Sequence, residues 1–122
     1  MANVITNVGK ALITGRFLSS SPLNLFIAWG TGNGEAAPEN ITLFTESTET
    51  RATAGVSQIT TTTTNDTLQA VGTLQAEGVR AITNAGMFDS NENGTLIMKS
   101  DFAPLNLALG DSITFTLKIQ FT

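Results

Sequence analysis

Apolar and polar positions alternate without a break through the segment "SITFTLKIQFT". Ile113, Phe115, Leu117, Ile119 and Phe121 stand against Thr114, Thr116, Lys118 and Gln120. Successive side chains of a strand point to opposite faces, so the segment predicts a strand with one face buried and one wet. That pattern belongs to an antiparallel sheet covered on one side, as in a sandwich or barrel. Residues 54–64 ("AGVSQITTTTT"), 67–78, 79–89 and 94–102 predict further strands, with a turn at Asn65-Asp66 and a connection over residues 103–111. "LNLFIAWG", lying between Pro22 and Gly30, predicts a buried strand. Residues 30–40, rich in Gly, Pro and Asn, predict a loop, and residues 41–51 fit either a short helix or an edge strand.

Only the first segment has helical spacing. Val4 or Ile5, Val8, Leu12 and Ile13 recur at three and four residues, which predicts a short helix over residues 5–17, stopped by "SSSP". The simpler expectation is that this apolar stripe packs on the domain's own sheet. The five threonines at residues 60–64 predict an edge strand with hydroxyls on both faces, since Thr suits exposed pleated surface. The expected core is Leu25, Ile27, Trp29, Ile82, Met87, Phe88, Leu96, Met98, Phe102, Ile113, Phe115, Leu117, Ile119 and Phe121. A chain of 122 residues is one domain by size, with residues 1–21 as an N-terminal helix or arm.

Composition narrows the chemistry. There is no cysteine and no histidine, so disulfides, thiolate metal sites and His- or Cys-activated nucleophiles cannot be assembled. A net charge of −4 with only six Lys and Arg offers no footprint for nucleic acid. The longest apolar run, "LNLFIAW", falls far short of the ~20 residues that span a bilayer, and no signal-peptide pattern opens the sequence. Neither nucleic acid nor membrane is an expected partner. Charged residues make up 13% of the chain, against about 25% in ordinary domains, and 20 threonines fill much of the polar surface. A neutral surface suits a domain packed among neighbours, because charge is depleted at interface centres. It equally suits a β protein that uses Thr on its solvent faces.

Two motifs invite a ligand. "DSNENG", residues 89–94, has the first half of a calcium loop. Counting from Asp89, the twelfth position is Ser100, not the bidentate Glu that such loops need. The flanking segments are β-like, and Asn93-Gly94 tolerates positive φ, so a hairpin turn is expected with no metal. "GTGNG", residues 30–34, lacks the spacing and the Lys of a phosphate loop. Asp66, Glu77, Asp89, Glu92 and Asp101 could in principle pair as carboxylates, but one Trp and no Tyr leave little to wall a sugar cleft. The expectation is a non-enzyme with no catalytic, cofactor or metal residues. The sequons at Asn40, Asn65 and Asn93 fit chance in a Thr-rich chain.

Three stretches together carry a family resemblance. "FIAWGTGNGEAAPENITLF", the segment from "AITNAGMFD" to the C-terminal strand, and "NVGKALITGRF" resemble parts of small tailed-bacteriophage virion structural proteins, among them capsid decoration (cement) proteins. The resemblance spans roughly 80 residues by pattern and leaves out "SQITTTTTNDTLQ". It departs at Asn84, where the family carries an acidic residue, so no acidic-site role is carried over. The resemblance implies a mainly β fold, an antiparallel β-sandwich of jelly-roll type with one short N-terminal helix. It implies a virion protein on the outer capsid surface, assembled in the host cytoplasm. Such a protein would bind major capsid protein at threefold or quasi-threefold positions as a homotrimer. A tail or fibre component, or a receptor- or carbohydrate-binding module, is the alternative. The expected partner contacts are Val4, Ile5, Val8, Lys10, Leu12 and Arg16, which lie outside the regular β pattern.

Overall fold

A computed structural model describes residues 4–19 and 24–122. One helix, α1 (Asn7–Ser19), precedes seven strands: β1 (Phe26–Gly30), β2 (Ala52–Thr53), β3 (Gly55–Ile59), β4 (Thr67–Gln75), β5 (Arg80–Phe88), β6 (Leu96–Leu107) and β7 (Ser112–Gln120). They form two antiparallel sheets, ordered β2-β1-β5-β6 and β3-β4-β7. The chain changes sheet at β2–β3, β4–β5 and β6–β7, so the two sheets close one core between them. The expected antiparallel sandwich with an N-terminal helix is what the chain forms. Sheets of four and three strands do not by themselves establish the jelly-roll subtype, which has eight strands.

The core lies where the inward residues of the two sheets meet. Leu25, Ile27, Trp29, Ile82, Met87 and Leu117 are buried in it as expected, joined by Leu68, Ala70 and Leu74 of β4. Phe102, Ile113, Phe115, Ile119 and Met98 are only half-buried around its margin. Leu96 packs half-buried against a second small cluster, and Phe121 is half-buried. The reason is position: β6 and β7 are edge strands on the same side of the sandwich, so their inward side chains have cover on one flank only. Strand β1 is apolar throughout because both its faces are covered. Ile27 and Trp29 face the other sheet, while Ala28 packs with Phe88 and Leu43 beneath the loop that follows β1. The approach of that loop is tight enough to demand glycine: a Cβ on Gly30 would stand 2.5 Å from the Phe44 carbonyl oxygen.

Four expectations change. The helix begins at Asn7, because Thr6 caps it: its hydroxyl accepts the Gly9 N–H at 3.1 Å. The expected helix stop and Leu23 lie largely outside the described residues. Residues 41–51 form neither helix nor strand but a loop with one bridge, Gly30 to Glu46. The threonine run is a turn, not an edge strand. Asp66 accepts the N–H groups of Thr61, Thr62 and Thr63 at 3.0, 3.2 and 3.0 Å, which draws the backbone away from a ladder. Finally, β6 runs on to Leu107 through the expected connection, because a bulge between the Ile82–Leu105 and Asn84–Asp101 pairs absorbs Pro104.

Candidate interaction surface

Helix α1 docks on the domain through Thr14, Ala11 and Phe17. Thr14 is fully buried, donates to the Asn65 carbonyl at 2.6 Å and receives the Gln58 amide. Gln58 also donates to the Ala11 carbonyl at 2.9 Å, and Phe17 packs against the main core. These anchors lie on β3 and on the turn before β4, and they fix the rotation of the helix. The apolar stripe is thereby turned outwards: Val8 is 80% exposed and Leu12 59%, with Val4 and Ile5 exposed just before the first turn. The expectation that the stripe packs on the domain's own sheet is therefore overturned. The buried hydrogen bonds of Thr14 and the packing of Phe17, rather than the apolar stripe, mark the docked face.

Of the six expected contact residues, Val4, Ile5, Val8, Leu12 and Arg16 are exposed, while Lys10 is half-buried. Positions 4, 8, 12 and 16 are four apart and form one ridge, as helical spacing requires where the helix has begun. Arg16 adds a cation in the last turn, beside the negative end of the helix. Val4, Ile5, Val8 and Leu12 thus form an exposed apolar stripe on the outer side of the domain.

The buried polar groups do a different task. Glu49 accepts Trp29 Nε1–H and the Glu77 N–H, both at 3.0 Å, accepts the Ser47 hydroxyl, and pairs with Arg80 at 3.2 Å. Burial alone would raise its pKa. The hydrogen bonds from Ser47, Glu77 and Trp29 outweigh burial and bring it from 4.5 down to about 2. Asp66 is governed likewise: burial pushes up, and the amides of Thr61, Thr63 and Thr62 with the Thr67 hydroxyl pull it well below the ordinary carboxylate range. Both carboxylates spend their lone pairs on their own chain, tying loops to strands.

The "DSNENG" hairpin is held in the same way. Asn93 and Gly94 both have positive φ, 53° and 75°, and Asp89 accepts the Thr95 N–H at 2.7 Å. Arg51 lies over the Phe88 ring at 3.7 Å, forks onto Glu46 with two bonds of 2.9 Å, and donates to the Ser90 and Asn93 carbonyls at 2.8 Å each. The guanidinium thus ties two backbone carbonyls of the turn to Glu46 and Phe88. In "GTGNG", Thr31 and Gly32 donate to the carbonyls of Thr45 and Phe44, so the loop's amides serve the backbone of the next segment. Asp66 precedes β4, Glu77 lies between β4 and β5, and Asp101 is on β6, and among the described residues no three acidic side chains gather as a metal cluster.

The sequence did not signal Glu49, Arg51 or Asn84 as organising residues, because most of their partners are distant in the chain. No protein-family model matches this chain, and no curated protein matches it.

Proposed function

We propose that this chain is a structural protein of a tailed-bacteriophage particle that decorates the outer capsid surface and stabilises the head by binding major capsid protein. The reading rests on the resemblance of its N- and C-terminal segments, and one observation carries it furthest. The helix keeps Thr14 inside and leaves Val4, Ile5, Val8 and Leu12 outside. Exposing that stripe costs solubility and contributes nothing to the domain's own core, so its use is contact with a partner. A capsid lattice offers many equivalent sites, and a multivalent cement protein gains avidity there from weak single contacts.

The alternative, a carbohydrate-binding module, needs exposed aromatic rings for stacking. Among the described residues the exposed large apolar side chains are aliphatic, and Trp29 is buried. That favours the capsid reading. The test mixes the protein with undecorated capsids and follows co-sedimentation. Wild type should bind at high copy number, and the V8D/L12D double variant should bind at least tenfold more weakly. Unchanged binding by the variant removes the helix from the interface. Wild type that ignores capsids, or that occurs at only a few copies per particle and on the tail, overturns the decoration reading.

A further inference from the structure

A sandwich of two open sheets has four edges, and three of them here are blunted. Strand β2 is two residues long. Strand β3 is five residues long, with Gln58 committed to helix α1. Strand β6 is broken by its bulge around Pro104, and it carries Lys99 and Asp101. These are the devices by which proteins protect edges from pairing with another chain. The fourth edge, β7, is long and has neither a bulge nor a proline. It pairs with β4 over nine residues, Thr67–Gln120 to Gln75–Ser112, in unbroken register. It contains no Pro and one charge, Lys118. Among the described residues it has a strand partner on one side only.

We propose that the free edge of β7 is a homodimer interface, in which two copies pair β7 to β7 antiparallel about a two-fold axis at Thr116. The sequence is suited to its own reverse. Thr116 is the midpoint of Ser112–Gln120, so centring the axis there uses the whole strand. Phe115 then stands opposite the second copy's Leu117, and Ile113 opposite its Ile119, all on the core face. On the solvent face Thr116 meets Thr116, and Lys118 meets Thr114, so like charges are never opposed. Cross-strand pairs of these kinds are the stabilising unit of a sheet. The same axis brings together the open flanks where Phe102 leans on Phe115, ring centroids 6.2 Å apart. It thereby covers the side chains that the single chain leaves half-buried. A self-complementary patch closes as a dimer, without propagating into a fibre. The result is a two-fold unit in place of the trimer expected at a threefold junction, and it stands independently of the capsid reading.

Light scattering coupled to size exclusion tests this on the full chain. Wild type should run at twice the 12.8 kDa chain mass. Thr116 is exposed on the solvent face, so T116K and T116E each leave the fold intact, as circular dichroism should verify. Each variant places two like charges on the axis and should run as a monomer. Mixing the two should restore the dimer, now as a T116K–T116E pair. A wild type that is monomeric or trimeric, a T116K variant that stays dimeric, or a mixture that fails to dimerise would each overturn the proposal.

Discussion

The side-chain amide of Asn84 pairs with the backbone of Phe44 as a neighbouring strand would: its oxygen accepts the Phe44 N–H at 3.0 Å, and its nitrogen donates to the Phe44 carbonyl at 3.2 Å. Asn84 is fully buried on β5, so one side chain stitches the loop after β1 to the middle of a sheet. An amide both accepts and donates at neutral pH, whereas a carboxylate only accepts. A carboxylate at this position would turn an oxygen towards the Phe44 carbonyl. Asn84→Asp should therefore lower the unfolding free energy by about 1–3 kcal/mol at neutral pH, the cost of an unsatisfied buried polar group. The deficit should shrink in acid, where a protonated carboxyl restores the donor. Urea unfolding with an unchanged slope reads this directly. A variant as stable as wild type at neutral pH would mean that the loop does not depend on the amide.

The docking of α1 makes an unusual contrast testable. Thr14→Val keeps the shape but removes the hydroxyl that donates to Asn65 and receives Gln58. It should cost about 1–3 kcal/mol, although it makes the helix more apolar. Val8→Ser removes apolar surface from the expected stripe and should change stability by no more than about 0.5 kcal/mol, as exposed substitutions do. The reverse order in denaturant melts would place the stripe, not Thr14, against the body.

Acid should unfold the protein through its buried carboxylates. Glu49 has a folded pKa of about 2 against an ordinary 4.5, so its contribution is fully present above 4.5 and is lost as pH falls towards 2. Asp66 is also depressed, from an ordinary 3.8, and loses its contribution over a range that starts lower. Urea midpoints should thus hold steady from neutral pH to about 5 and decline steeply below. Glu49→Gln should start lower at neutral pH and decline less steeply. An equally steep decline in that variant would assign the acid sensitivity to other groups.

Local pattern was enough for much of the fold. The alternation of Ile113, Phe115, Leu117 and Ile119 specified β7, and Asn93-Gly94 specified the turn between β5 and β6, because both depend on neighbours in sequence. The orientation of α1 did not follow from its own apolar spacing. The Asn65 carbonyl that captures Thr14 is 51 residues away in the chain. The threonine run was misjudged for a related reason: its strand propensity is real, but three of its amides are claimed by Asp66. The sequence predicts a connection over residues 103–111, but β6 continues into it past a bulge that accommodates Pro104. The expected contact residues on the helix were legible as a stripe. Their exposure became clear only with the docked geometry.

Arg51 explains the hairpin that first resembles a calcium loop. Its side chain is only 7% exposed, stacked on Phe88 and forked onto Glu46, so both partners outside the loop hold it in place. The Ser90 and Asn93 carbonyls of the loop then accept from a guanidinium held by these two partners. A calcium ion seated in this turn would stand close to that fixed cation, and the chain supplies Ser100 where a bidentate carboxylate is needed. Micromolar calcium should leave the melting midpoint of the wild type unchanged. A saturating rise would show selective binding to the folded state and overturn this account. Arg51→Ala should cost about 1–3 kcal/mol by leaving Glu46 and the two carbonyls without their donor. It should speed amide exchange over residues 89–95 while β7 stays protected. Arg51→Lys should recover only part of the loss, since an ammonium cannot fork onto Glu46 and reach both carbonyls together. Full recovery by lysine would mean that charge alone, not the planar fork, holds the turn.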